Sequence, residues 1–216
     1  MIEAVLFDMD GLMFDTERMW AEAWTEVARK RGLENIGAVV DSMRGRNRAG
    51  CTEVCRAAYG EEFDFDEFQA QARAVMNGLV ADRGLPKKPG LTELLEELRR
   101  RGTPAVVCTS TRRATTEGYL RQAGIAGCFK GLVCGDDVQN GKPDPEVFLK
   151  GAALAGRDPA RCLVLEDSPN GMRAGAAAGC RTVMVPDMTR PDDRLRALAS
   201  AVAPDLFAVI PLLDEL

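Results

Sequence analysis

The chain alternates short apolar runs with amphipathic stretches. Residues 2–7 form an apolar run that stops abruptly at Asp8, Asp10 and Gly11, and similar runs occupy residues 105–108, 132–134, 162–165 and 182–185. Short runs of three to six residues suit strands buried on both faces. Between them lie helical patterns: Leu91, Leu94, Leu95 and Leu98, then residues 112–123, 145–155 and 169–178, the last ending before Gly179. This alternation predicts a parallel sheet covered by helices on both faces. In such sheets ligands gather beyond the carboxyl ends of the strands, where Asp8, Thr109 and the Glu166-Asp167 pair fall.

From residue 15 to about residue 84 the rhythm changes. This stretch holds no strand-like run and reads as helices. One helix would present Met19, Trp20, Ala23, Trp24 and Val27 and end at Gly32; another would present Phe65, Phe68, Ala72, Met76 and Leu79. Of the two tryptophans, Trp24 reads as core and Trp20 remains open. The sequence Pro86-Lys87-Lys88-Pro89-Gly90 returns the chain to its alternating pattern. The expected division is therefore an α/β core of residues 1–14 and 86–216, with a helical insertion of residues 15–85 hinged at both ends.

Composition narrows the chemistry. The 216 residues carry 28 Lys and Arg against 33 Asp and Glu, a formal charge of −5, which is no footprint for a polyanion, so a nucleic-acid partner is not expected. There is no histidine. That excludes Ser-His-Asp triads, Cys-His pairs and imidazole metal ligands, leaving acid–base work to carboxylates, Lys, Tyr or Cys. Seven scattered cysteines without a C-x-x-C are expected to be reduced thiols of a cytoplasmic protein. Cys51 and Cys55, four apart, lack the further ligands of a tetrahedral metal site and read as buried structural thiols. The first residues include Glu3, Asp8 and Asp10 and no basic segment, so neither a signal peptide nor a membrane span is expected.

Asp8-Met9-Asp10 sets two carboxylates just after a buried strand, and Gly11 permits a turn that a Cβ would resist. An isolated D-x-D is usually a solvated loop. Here it has company in chain order: Thr109-Ser110 after a second strand, Lys142 within Gly141-Lys142-Pro143-Asp144-Pro145, and Glu166-Asp167 ahead of Ser168-Pro169-Asn170-Gly171. Taken singly, Thr109 could be a helix cap, Lys142 a loop charge, and Glu166-Asp167 a cap on the helix after Pro169. Their joint position at one sheet edge argues for a site.

In these four ordered motifs, together with Asp15-Thr16-Glu17, the chain resembles the haloacid dehalogenase superfamily of phosphotransferases, in the helical-cap subgroup of beta-phosphoglucomutases and sugar-phosphate phosphatases. It also resembles pseudouridine-5'-phosphatase-like members, through Asp8 to Gly11 with Asp15-Thr16-Glu17-Arg18, Gly135-Asp136-Asp137 and residues 183–187. The resemblance implies a Rossmann-like core with an inserted helical-bundle cap, and Mg²⁺-dependent hydrolysis of a small sugar or nucleoside phosphate. It implies Asp8 as nucleophile and Asp10 as acid and base, with Lys142 and Mg²⁺ offsetting the phosphate charge and Thr109 and Ser110 binding its oxygens. The implied metal ligands are Asp8, the Asp10 main-chain carbonyl and Asp167, with Glu166 acting through a water. An all-oxygen set suits Mg²⁺. Dehalogenases of the superfamily lack the second aspartate, so Asp10 favours phosphate esters.

The insertion is read less directly. Arg44, Arg46 and Arg48 suit either a solvated loop or an anion in the cleft, and Arg48 aligns with the cap arginine that the mutases use on the non-reacting phosphate. Thr16, Trp20 and Arg48 are the expected substrate contacts of the cap. A mutase is the leading alternative, although Trp20 and Val75 stand where those mutases have His and Lys. A phospho-receiver domain is the other, and Asp8 following the first strand, with a helical insertion after it, speaks against that. The expected partner is a small phosphate ester, with no membrane, and the chain is expected to act as a monomer.

Overall fold

The computed structural model describes residues 1–43 and 48–216. It divides into two compact units, Thr16–Gly84 and Met1–Asp15 together with Leu85–Leu216. The first unit is helical, with α1 (Thr16–Arg31), α2 (Ile36–Met43), α3 (Arg48–Tyr59) and α4 (Phe65–Arg83). Arg83 at the end of α4 pairs with Glu22 near the start of α1 at 2.9 Å, and Arg31 at the end of α1 pairs with Glu67 near the start of α4 at 3.2 Å, so these helices run antiparallel. Asp64 caps α4 by accepting from the Glu67 amide at 2.9 Å.

The apolar face of α4 differs from expectation at one end. Phe65, Phe68, Ala72 and Met76 are buried, but Val80 rather than Leu79 continues the stripe. Successive steps of four keep that row inward, and Leu79 falls to its side. Trp24 is also not fully core: it is half-buried, stacks near Trp20 at 5.6 Å between ring centroids, and donates its indole N–H to Gln69 Oε1 at 3.3 Å. An indole needs a partner for its N–H, and the edge of the α1–α4 seam supplies one. Cys55 is buried and Cys51 half-buried, and all seven cysteines are free thiols.

The second unit is built on β1 (Ala4–Phe7), β2 (Ala105–Cys108), β3 (Gly131–Val133), β4 (Cys162–Glu166), β5 (Arg181–Met184) and β6 (Ala201–Val202). These form one parallel sheet in the order β3-β2-β1-β4-β5-β6. Every residue of β1, β2 and β4 is buried, as both-face coverage demands. Ala4, Leu6, Val106, Cys108, Cys162 and Val164 pack on one face with Val147, Phe148, Ala152 and Ala155 of α7 (Glu146–Ala155) and Ala174 of α8 (Pro169–Ala177). The leucine stripe of residues 91, 94, 95 and 98 is buried along α5 (Leu91–Arg101), and α6 (Arg113–Gln122) follows β2. Beyond β5 come α9 (Asp193–Leu198), β6 and α10 (Val209–Glu215). The two-residue β6 is too short to leave a readable pattern.

The connections to the helical unit enter the sheet unit side by side. The Asp15 amide donates to Pro86 O and the Lys88 amide to Met13 O, each at 2.9 Å. The Lys88 ammonium pairs with the buried Asp187 carboxylate at 2.8 Å. Among the described residues no helix is long and apolar enough to cross a membrane.

Candidate active site

The chain moves from β1 outward to β2 and β3 on one side and to β4, β5 and β6 on the other, so the order reverses between β1 and β4. That switch point opens a crevice at the strand ends. Asp8 sits there, 7% exposed, its amide bonded to Leu165 O of β4 at 3.0 Å. The chain then turns sharply, with Met13 N donating to Met9 O at 2.9 Å and Gly11 N to Phe14 O at 3.0 Å. Gly11 is required twice over: its φ is +80°, and a Cβ there would stand 2.3 Å from Asp167 Oδ2.

Lys142 is the hub. Its ammonium donates to Asp8 Oδ1 at 2.5 Å, Glu166 Oε1 at 2.7 Å and Cys108 O at 3.0 Å, which uses all three of its protons. It also lies 4.8 Å from the centroid of the Phe148 ring. The loop that carries it is held by Glu146, whose carboxylate accepts from the amides of Gln139 and Asn140 and from Lys150 Nζ. Glu166 is tied on its other oxygen by the Asp167 amide at 3.0 Å and by the Ser168 amide and hydroxyl, each at 2.9 Å.

The caps differ from their single-residue alternatives. Ser168, not Glu166 or Asp167, caps α8, accepting from the Gly171 amide at 3.1 Å, so both carboxylates are left to the crevice. Thr109 does not cap α6 either. It is buried, and its hydroxyl oxygen accepts from the Thr111 amide at 3.1 Å, while Asp136 accepts from the Arg113 amide at the helix start. Ser110 is exposed on the same turn. Thr111 was not among the expected site residues, yet its hydroxyl donates to Asp10 Oδ2 at 2.7 Å. The only signal for it was a third consecutive hydroxyl in Thr109-Ser110-Thr111.

The remaining expected contacts belong to the helical unit. Thr16 is buried at the start of α1, and Trp20 is half-buried. Arg48 opens α3, exposed, with Nε donating to Asp66 Oδ1 at 2.9 Å. Arg44 and Arg46 lie outside the described residues.

The electrostatics of the crevice favour a cation. Carboxylate oxygens of Asp8, Glu166 and Asp167, all buried residues, lie within 4.8 Å of one another. Burial above all raises the Asp8 carboxyl, Lys142 lowers it, and Glu166 and Asp10 raise it again, so that it stands at about 8. For Lys142 burial acts downward, but Asp8 and Glu166 together outweigh it and hold the ammonium protonated. One ammonium serves three clustered carboxyl groups in a poorly solvated place, and the raised Asp8 carboxyl reflects that shortage of positive charge. A divalent cation with a preference for oxygen fits that deficit, and Mg²⁺ fits it by donor type. The Asp10 carboxylate is outside this cluster, turned to Thr111. A second group, Cys134, Asp136 and Asp137, has its acids engaged as loop acceptors and in the Arg113–Asp137 pair at 2.5 Å.

Gly171 explains the glycine of the Asn170-Gly171 pair. A Cβ at this position would stand 1.6 Å from Glu166 Oε1. Gly171→Ala is therefore expected to swing Glu166 off Lys142 and raise the Mg²⁺ concentration for half-maximal activity by about 10- to 100-fold, the usual scale for losing a residue that orients metal ligands. A metal titration of activity checks this; an unchanged midpoint would mean that Glu166 does not shape the metal site.

Comparison with known proteins identifies the family. A family model described as haloacid dehalogenase-like hydrolase matches residues 2–179. A Drosophila melanogaster protein named "Probable pseudouridine-5'-phosphatase" is 33% identical over 188 residues, covering 84% of this chain and 80% of that one. The bifunctional riboflavin kinase/FMN phosphatase of Arabidopsis thaliana is 29% identical over 187 residues, 86% of this chain; the chain spans about half, 49%, of that relative's length. Among solved structures, a HAD family hydrolase from Deinococcus radiodurans R1 with bound phosphate and sodium superposes with a TM-score of 0.80 at 27% identity, covering 99% of this chain and 96% of the other. With its parallel α/β core, four motifs at one sheet edge and a family match over most of its length, the chain belongs to the haloacid dehalogenase-like hydrolases and is an enzyme of the phosphatase type.

Proposed function

We propose that the chain is a Mg²⁺-dependent phosphomonoester hydrolase acting on a small sugar or nucleoside phosphate through an aspartyl-phosphate at Asp8. The observation that carries this reading is the buried Asp8–Lys142–Glu166 cluster, with Asp10 two residues beyond Asp8 and held by Thr111. A carboxylate can attack a phosphate dianion only where positive charge offsets their repulsion. Lys142 supplies one charge. Mg²⁺, held by Asp8, Asp167 and the Asp10 main-chain carbonyl with Glu166 in its outer shell, would supply the rest.

In this scheme an Asp8 oxygen forms a bond to phosphorus as the phosphorus–ester oxygen bond breaks, and Asp10 gives its proton to the departing alcohol. Water then attacks the aspartyl-phosphate, its proton passes to Asp10, and the Asp8–phosphorus bond breaks to release phosphate. Thr109 and Ser110 bind the phosphate oxygens. The unit Thr16–Gly84 acts as a cap that recognises the leaving group through Thr16, Trp20 and Arg48, a role suited to a flat ring and a guanidinium. Its substrate class is supported by the nucleoside phosphatase name of the Drosophila relative. The same reading takes the chain to work on small molecules as a cytoplasmic monomer.

The test is a panel of phosphate esters read by released phosphate. Chelation is expected to stop turnover, Mg²⁺ to restore it, and Ca²⁺ to inhibit because its larger, looser shell misplaces the reacting groups. Full turnover in excess chelator, with no residual metal, would overturn the reading. Glucose 1-phosphate with a bisphosphate primer belongs in the panel, since formation of glucose 6-phosphate in place of free phosphate would mark a mutase.

A further inference from the structure

The hydroxyl of Thr111 is donated to Asp10, a carboxylate 101 positions away in the chain. Thr111 is itself fixed from both sides. Its amide donates to Thr109 Oγ1 at 3.1 Å, and its carbonyl accepts from the Gly135 amide at 2.9 Å. A half-buried hydroxyl on so fixed a backbone constrains what it touches more than a mobile surface side chain would. We infer that Thr111 is a positioning residue: its hydroxyl, donated to Oδ2, helps to set the rotation of the Asp10 carboxyl and so aims the group that carries the transferred proton. This rests on the proposed function, in which Asp10 is the acid and base, and deepens it by naming what aims that group.

The inference has a chemical signature. Protonation of the leaving oxygen matters for an alkyl phosphate, whose alkoxide is a poor leaving group, and matters little for a nitrophenyl phosphate, whose phenolate departs unaided. Misaiming Asp10 therefore weighs on the first step of one substrate class only. The informative quantity is kcat/KM, which reports events up to release of the alcohol. By contrast, kcat can fall for both classes, because both share the water-dependent second step.

The variants are Thr111→Val, which keeps the shape and removes the hydroxyl, and Thr111→Ser, which keeps the hydroxyl. Each is assayed on a sugar phosphate found active in the panel and on 4-nitrophenyl phosphate, with Asp10→Asn as control. Thr111→Val is expected to lower kcat/KM for the sugar phosphate by about 10- to 100-fold, the scale for a misplaced catalytic group. It should change the nitrophenyl value by less than about threefold, and Thr111→Ser should recover most of the sugar phosphate rate. An equal loss on both substrates, or no loss on either, overturns the positioning role. If Asp10→Asn itself fails to separate the two substrates, the acid–base assignment of Asp10 is at fault instead, and that outcome overturns the proposal through its premise.

Discussion

Asp8→Asn is expected to reduce turnover by roughly 10⁴-fold or more, the scale on which an enzyme responds when its nucleophile is removed from a group of residues that act together. An amide has the shape of the carboxylate but cannot form a stable phosphoryl intermediate in its place. The fold should survive the change. Asp8 is buried among like charges, and its carboxyl is driven upward chiefly by desolvation, so a neutral amide relieves repulsion from Glu166 while its oxygen can still accept from Lys142. Thermal unfolding and phosphate release on the purified variant check both halves. Turnover at the parent rate would eliminate the aspartyl-phosphate mechanism; a collapsed Tm would show that the Asp8–Lys142 pair is needed for folding.

Lys142→Met is expected to damage both stability and rate. The ammonium contributes three short hydrogen bonds to buried acceptors, two of them carboxylates. Removing one partner of a buried charge cluster typically costs about 3–5 kcal/mol, because the remaining charges lose their compensation while still excluded from water. In chelator the variant should therefore unfold several degrees earlier, and Mg²⁺ should recover part of the loss by returning positive charge to the three-carboxylate group. Activity should not recover with it. Loss of a fixed cation that stabilises developing charge costs roughly 10²- to 10³-fold in rate. Denaturant titration with and without Mg²⁺, alongside kinetics, separates the two effects. Undiminished turnover in the variant would return Lys142 to the role of an ordinary loop charge.

The sequence by itself determined the parallel α/β core, the helical stretch that interrupts it and three polar clusters at the ends of its strands. These were legible because burial on both faces writes continuous apolar runs and one-sided burial writes helical stripes, and both signals are local. A polar residue at the end of such a run is already placed at a sheet edge. Asp8, Thr109 and Glu166-Asp167 could be located in this way. Where local signals weaken, so did the reading: β6 has two residues, Leu79 and Val80 are neighbours on a drifting stripe, and Trp24 satisfies its N–H at a seam that periodicity does not mark.

The tertiary structure alone decided which of these groups meet. Lys142 reaches Asp8 across 134 positions and Glu166 across 24, and Thr111 reaches Asp10 across 101. Charge pairing and hydrogen bonding at such separations leave no periodic trace. They follow from the sheet order, which sets β1 between β2 and β4 and so brings three strand ends to one crevice. The same packing requires glycine at positions 11 and 171, where a single added Cβ would occupy the space of Asp167 or Glu166. A sequence lists the acids and hydroxyls. The packing of parallel strands determines that one lysine is shared by two of those carboxylates and that one threonine holds a third.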